Sequence, residues 1–379
     1  MIIGIDGTEA NEEVRVGSSE YAYQLLHSIY RISSRSESQN KFLIFLKQDK
    51  INGLPPENKR WSYEIIPSDR FWVFKKLLPR LIFGSKIDLF FSPTHYLPIF
   101  TTVPQICTIH DLGYLMFLEQ FRRYDFWQLK YWSAISIIIS KCIIAVSKTT
   151  RDDIVRHYPF SSNKIKIIYH GLDHHLFNQN IPDILVRHIQ DKFKIGKYYI
   201  LHLGTLKPSK NIEGIIKAFS LFVKAGHTMS TGFQLVIAGK KGWMYENIFQ
   251  LVKEQNLENR VVFTDYVTEE EKRALYKGAY ALISPSYWEG FGMHALEAMA
   301  CGTPVIVSGS GSLREIAGSA GIYVDPYSVE SIYGGIEKLV SMKISEYNKQ
   351  SRMCFERTKA YTWESTARKT LDLFEGFSK

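Results

Sequence analysis

Residues Ile283–Ser308 read ISPSYWEGFGMHALEAMACGTPVIVS, a succession of residue types that fits a strand, a glycine turn, a helix and a second strand. One parallel β-α-β unit has this order. Gly290 and Gly292 flank Phe291 immediately before the helical pattern, so the backbone N–H groups of Gly292, Met293 and His294 stand at a helix N-terminus and can point at a bound anion. The turn is a seat for a diphosphate. Glu289 precedes it and Glu297 lies on the helix with seven residues between them, so the two carboxylates can reach different parts of one elongated ligand. Each can accept hydrogen bonds from hydroxyl groups. Each also has a plainer reading, Glu289 as a helix cap and Glu297 as an exposed helical residue.

The same alternation extends outward in both directions. Ile2–Ile5, Phe42–Leu46, Asp88–Phe91, Gln105–Ile109, Cys142–Val146 and Lys166–Tyr169 are short apolar runs separated by helical patterns. After a polar connection near His175–Lys197 a second series follows: Tyr198–Leu203, Gln234–Ala238, Val261–Phe263, Ala281–Ser284, Pro304–Val307 and Gly321–Val324. Strands that alternate with helices form parallel sheets covered on both faces, so the fold class is α/β with two doubly wound domains. The domains are expected at residues 1–178 and 179–358, with 359–379 a helix that packs back onto the N-terminal domain. In such sheets, ligands bind beyond the C-terminal ends of the strands.

Composition agrees with this and removes alternatives. A length of 379 residues exceeds what one core usually organises, and 45% hydrophobic with 22% charged residues is ordinary for folded globular chains. Cys107, Cys142, Cys301 and Cys354 show no metal-ligand spacing and are read as reduced cytosolic thiols. The N-terminal MIIGIDGTEA lacks the pattern of a secretory signal, and no window of 18 residues is apolar enough to span a bilayer. The formal charge of +9 suits nucleic acid, anionic lipid or phosphorylated small molecules. Basic residues interleave with aromatics in Arg70–Phe83 (RFWVFKKLLPRLIF) and Phe121–Trp132 (FRRYDFWQLKYW), and no nucleic-acid-binding motif accompanies them.

Four further stretches carry polar residues where strands end. Ile200–Phe219 is ILHLGTLKPSKNIEGIIKAF, Thr264–Val267 precedes the acidic helical run Glu269–Tyr276, Cys107–Tyr114 is CTIHDLGY, and Val16–Gln24 is VGSSEYAYQ. Taken singly, Lys207–Asn211 is a solvated loop and His110 a hydrogen-bonded buried histidine. Taken with Glu289 and Glu297, they resemble the retaining glycosyltransferases of family 4, which share the GT-B fold of two Rossmann-like domains facing a central cleft. The resemblance runs over nearly the whole chain, including Ala145–Ser147 with Lys148 and Tyr169–Asp173.

The resemblance implies a role for each matching residue. Glu289 contacts the transferred sugar, Glu297 holds the ribose, and the backbone of Phe291, Gly292, Met293 and His294 binds the diphosphate. Lys210 neutralises that diphosphate in a loop that begins with Gly204 and Thr205. Many members carry an arginine where this chain has Thr205 or Ser209. Backbone around Val267 seats the base, Gly17 approaches donor phosphates and acceptor, His110 faces the reacting centre, and Asp111 is structural or acceptor-side.

No Asp-x-Asp occurs, so no metal or other cofactor is expected, and charge on the departing diphosphate is met by Lys210 and backbone amides. The partners implied are a nucleotide-sugar donor, GDP-mannose first, and a glycan or lipid-linked acceptor of surface-polysaccharide assembly. A cytoplasmic enzyme touching an anionic membrane surface through Arg70–Phe83 is the expected setting, with no nucleic acid involved. Nucleotide-sugar epimerases, sugar phosphorylases and silent sugar-nucleotide-binding relics use the same architecture. The presence of His110, Lys210, Glu289 and Glu297 together weighs against a relic.

Overall fold

The short apolar runs form two parallel sheets in the computed structural model, which describes residues 1–15, 17–36, 38–67, 72–84, 86–117, 123–226 and 232–377. The first sheet contains β1 (Ile2–Asp6), β2 (Lys41–Leu46), β3 (Trp61–Ile65), β4 (Leu89–Ser92), β5 (Gln105–Ile109), β6 (Cys142–Ala145) and β7 (Ile165–Ile167). Their spatial order is β3-β2-β1-β4-β5-β6-β7. The second contains β8 (Tyr198–Leu203), β9 (Phe233–Ala238), β10 (Val261–Asp265), β11 (Ala281–Ser284), β12 (Val305–Ser308) and β13 (Gly321–Val324), ordered β10-β9-β8-β11-β12-β13. Strands β4, β5, β6, β11 and β12 are buried at every residue, as expected of parallel strands covered on both faces.

Contacts divide the chain into two units, Met1–Gly171 with Tyr361–Lys379, and Leu172–Ala360. The first division therefore falls after Gly171, ahead of residue 178. Helix Trp363–Glu375 lies against helix Ser18–Arg35 within the first unit. Its Trp363, Ala367 and Phe374 enter the core beside Ile3, Leu25 and Phe91, with the Phe374 and Phe91 rings 5.2 Å apart. Thr362 starts this helix by accepting the N–H of Ser365 at 3.1 Å.

Each sheet reverses its winding once, between β1 and β4 in the first and between β8 and β11 in the second. At these points the connections leave toward opposite faces and open a crevice at the C-terminal strand ends. The segment after β8 carries Gly204, Thr205 and Lys210, and the one after β11 carries Glu289. In the first unit, Gly17 lies beyond β1 and His110 directly follows β5.

Candidate functional site

In the second unit, the loops after β8 and β11 are tied together by buried polar contacts. Lys210 Nζ lies 2.5 Å from Glu289 Oε1, and both side chains are about nine-tenths buried. Burial pushes the Glu289 carboxyl up, but the Lys210 ammonium outweighs this and holds it at about 2. Glu289 is therefore an anion at neutral pH. Its backbone is also fixed, because its carbonyl accepts both the N–H and the hydroxyl of Ser312, at 3.2 and 3.0 Å.

The turn that follows starts helix Met293–Ala300 on Gly292, whose φ of +91° disfavours any side chain, and a Cβ there would stand 2.6 Å from Leu313. The helix has no side-chain cap. Its first N–H groups have no intrahelical acceptor and remain suited to an anion. His294 turns inward, with Nε2 2.7 Å from the Ser284 hydroxyl, and burial drives its pKa down to about 3, so the ring is neutral.

Glu297 occupies the inner face of the same helix and is 7% exposed. Its Oε2 accepts the Tyr276 hydroxyl at 2.9 Å and its Oε1 lies 3.2 Å from Lys272 Nζ. Burial raises the Glu297 carboxyl, against the pull of Lys272 and Tyr276. Lys272 also reaches Glu269 at 2.9 Å, and despite burial the two carboxylates raise its pKa. These partners exclude the plainer readings: Glu289 does not cap the helix, and Glu297 is not solvated.

In the first unit, His110 Nε2 donates to the Pro93 carbonyl at 3.0 Å, and burial depresses its pKa, leaving a neutral ring. Tyr21 meets it edge-on at 4.9 Å between ring centroids, and His170 lies at 5.5 Å. Asp111 is exposed and accepts the N–H of Gly113 at 3.0 Å, a turn-forming bond. Gly17 has φ of +57° at the start of helix Ser18–Arg35. Val16 lies outside the described residues.

The structure thus brings Lys210, Glu289 and the Gly292 turn together in the second unit, with Glu297 one helix face away. Gly204 packs near Lys210, 3.6 Å from its side chain if it bore a Cβ. Thr205 is half-buried in the loop between them, and Val267 is buried after β10. Lys207, the other cation near the missing arginine positions, lies 5.3 Å from the Trp243 ring centroid.

Within Arg70–Phe83, Trp72, Leu77 and Leu81 enter the core and Arg80 pairs with Glu64, so the segment offers solvent chiefly Lys75, Lys76, Pro79, Ile82 and Phe83. Three of its apolar residues are used for folding, while Ile82 and Phe83 stay exposed. Arg70 and Phe71 lie outside the described residues, as do Phe121 and Arg122.

Four residues that sequence reasoning passed over belong to the site. Lys272 and Tyr276 hold Glu297, Asn211 joins the strand-end loops, and His202 is fully buried beneath Gly204 with Nδ1 3.0 Å from the Ile283 carbonyl. Burial brings His202 down to about 4, and its Nε2 has no partner. Among the described residues, no group of three or more ligating side chains could hold a metal, and no helix is long and apolar enough to cross a membrane.

Comparison with known proteins agrees with this geometry. Residues 187–359 match the model of Glycosyl transferases group 1, and residues 49–176 match that of Glycosyltransferase Family 4. The chain is similar to O-antigen chain mannosyltransferase B of Escherichia coli, 26% identical over 289 residues that cover 76% of this chain and 74% of the relative. It is also similar to O-antigen chain mannosyltransferase RfbU of Salmonella typhimurium, 29% identical over 280 residues, 73% of this chain and 72% of the relative. The crystal structure of Anabaena HepE in complex with UDP and glucose superimposes with a TM-score of 0.75 at 16% identity, covering 99% of each chain, which shows a shared fold.

Proposed function

Because the chain belongs to glycosyltransferase family 4, with the GT-B fold and hexosyltransferase activity on a nucleotide-sugar donor and a glycan acceptor, we propose that its donor is GDP-mannose and that transfer retains the anomeric configuration. The observation that carries the donor site is the buried Lys210–Glu289 pair beside the uncapped helix at Gly292, on the two strands where the second sheet reverses. Mannose as the sugar rests on the two O-antigen mannosyltransferases to which the chain is similar.

In this reading Lys210 and the N–H groups of Gly292, Met293 and His294 stabilise the departing diphosphate, an arrangement of fixed charges that needs no reorganisation during the reaction. The bond between the anomeric carbon and the phosphate oxygen breaks, the acceptor oxygen bonds to that carbon on the same face, and the acceptor proton passes to the leaving phosphate. Glu289, anionic and fixed by Ser312, orients donor hydroxyls. Glu297 takes the ribose. His110, neutral and held by Pro93, orients a hydroxyl beside the developing positive charge on the sugar. Gly17 keeps the phosphate and acceptor role that the resemblance implies, and Asp111 shapes its loop on the acceptor side.

The setting proposed is cytoplasmic, at an anionic membrane surface that presents a lipid-linked acceptor. Helix Arg123–Ile139 supports this better than Arg70–Phe83 does. Tyr124, Trp127, Tyr131 and Ile138 are exposed on it, and at 3.6 residues per turn they fall within about 60° of arc. Lys130 Nζ lies 4.9 Å from the Trp127 ring centroid. Trp and Tyr beside lysines suit the headgroup region of a bilayer. Thermal protection and hydrolysis across a panel of nucleotide sugars test the donor: GDP-mannose is expected to protect most, and a stronger response to a UDP- or ADP-sugar overturns that assignment.

A further inference from the structure

Asn211 touches three connections around the donor site. It follows Lys210 directly, is 5% exposed, and adopts the left-handed conformation at φ +54° and ψ +41° before helix Ile212–Lys224. Its Nδ2 donates to the Pro285 carbonyl, just after β11, at 3.2 Å and to the Pro326 carbonyl, after β13, at 2.6 Å. Its Oδ1 accepts the Tyr287 hydroxyl at 3.0 Å. Room for it comes from Gly214, where a Cβ would stand 2.4 Å from the Asn211 Oδ1. Both amide hydrogens donate within the chain and the oxygen already accepts one hydroxyl, so the side chain is committed to holding these loops rather than to donating to a substrate.

Two of the three bonds, those to Pro285 and Tyr287, fall on the segment that leads to Glu289. Pro285 and Tyr287 lie between β11 and Glu289, and the Tyr287 N–H donates to the Ser209 carbonyl at 3.0 Å, next to Lys210. We infer that Asn211 is a positioning residue: it sets the register between Lys210 and Glu289, so that the diphosphate and the transferred sugar are presented to each other at a fixed offset. The inference rests on the donor reading above. It leaves the nucleoside end untouched, because Glu297 and Val267 are carried by other elements and none of Asn211's bonds reaches them.

Asn211→Gly separates this role from the backbone conformation, since glycine adopts the left-handed region without strain while the three side-chain bonds vanish. The probes are GDP, UDP and ADP with their nucleosides, measured by calorimetry on the full chain, using whichever diphosphate binds wild type most tightly. The variant is expected to bind that diphosphate about tenfold more weakly and its nucleoside as wild type does. With the cognate sugar donor, kcat should fall about 100-fold, the scale of an ångström-sized misplacement of reacting groups. Tyr287→Phe removes one bond of the three and should show the same pattern more weakly. Phe222→Leu, in the core of the same unit away from these loops, serves as the control that lowers the melting temperature without this split. Equal loss of nucleoside and diphosphate affinity in Asn211→Gly would make the residue merely structural and overturn the inference, as would unchanged diphosphate affinity and kcat. A wild-type protein that binds none of the three diphosphates overturns the donor reading itself, and this role with it.

Discussion

Lys210→Met isolates the buried ion pair, because it keeps the apolar stem and removes the charge. Lys210 holds Glu289 near about 2 against an ordinary 4.5, and at roughly 1.4 kcal/mol per decade this corresponds to about 3 kcal/mol. That agrees with the roughly 3–5 kcal/mol lost when one partner of a buried pair is removed. Since the folded value lies below the unfolded one, the stabilisation is complete above pH 4.5 and is lost as the pH falls toward about 2. In the variant, burial is opposed only by Ser286 and His294, and the Glu289 carboxyl rises from its wild-type value. The deficit against wild type is therefore greatest at neutral pH and narrows on acidification. Urea unfolding at pH 7 and pH 4 measures it. Adding Glu289→Gln to Lys210→Met should recover most of the lost stability, because no charge is left stranded, without recovering affinity for the nucleoside diphosphate. A Lys210→Met protein as stable as wild type at pH 7, or with the same deficit at both pH values, refutes the buried-pair reasoning.

Turnover should persist in excess EDTA, and proton NMR of the product should show the donor's anomeric configuration kept; metal-restored activity counts against a diphosphate neutralised by Lys210, and an inverted linkage against retention. Stability should decline as the pH falls below about 6.5, because His95 and His202 are held near about 4 and His294 near about 3 by burial. The unfolded chain takes up protons that the folded one refuses, at most about 1.4 kcal/mol per histidine for each pH unit, and a flat urea midpoint between pH 7 and pH 5 contradicts this. For the membrane, wild type should sediment with phosphatidylglycerol vesicles at low salt and less at high salt, while Trp127→Ser with Tyr131→Ser and Lys130→Glu should stay in solution. Equal sedimentation of both proteins would move the surface elsewhere, and a concentration-dependent dimer lost in the variant would assign the aromatic face to a second copy.

What the sequence discloses and what it withholds follow from how far apart the interacting residues are. The strand-turn-helix-strand around Glu289 and Glu297 is one contiguous stretch, and its glycines and spacing are local signals. The partners of those carboxylates are not local: Lys210 lies 79 residues before Glu289, and Lys272 lies 25 before Glu297. Lys210 meets Glu289 because the sheet order sets β8 beside β11, and Lys272 meets Glu297 because helix Glu269–Gly278 packs against helix Met293–Ala300. Lys272 sits in a run of glutamates and looks solvated until Glu297 is seen beneath it. The edge strand β3 escaped notice because Ser62 and Glu64 interrupt its apolar residues, as befits a strand exposed along one side. Arg70–Phe83 is ambiguous for the opposite reason, since a basic aromatic pattern serves a core and a membrane equally well. Asn211 is the deepest case. Within Lys207-Pro-Ser-Lys210-Asn211 it is one polar residue among several, and its bonds to Pro285 and Pro326 span 74 and 115 residues. Yet the chain does carry a trace of it in Gly214. A glycine inside a helix costs about 1 kcal/mol against alanine, so its presence in the first turn of helix Ile212–Lys224 implies that the space of its missing Cβ is filled by something else. Here the occupant is the Asn211 side chain that holds the two halves of the donor site in register.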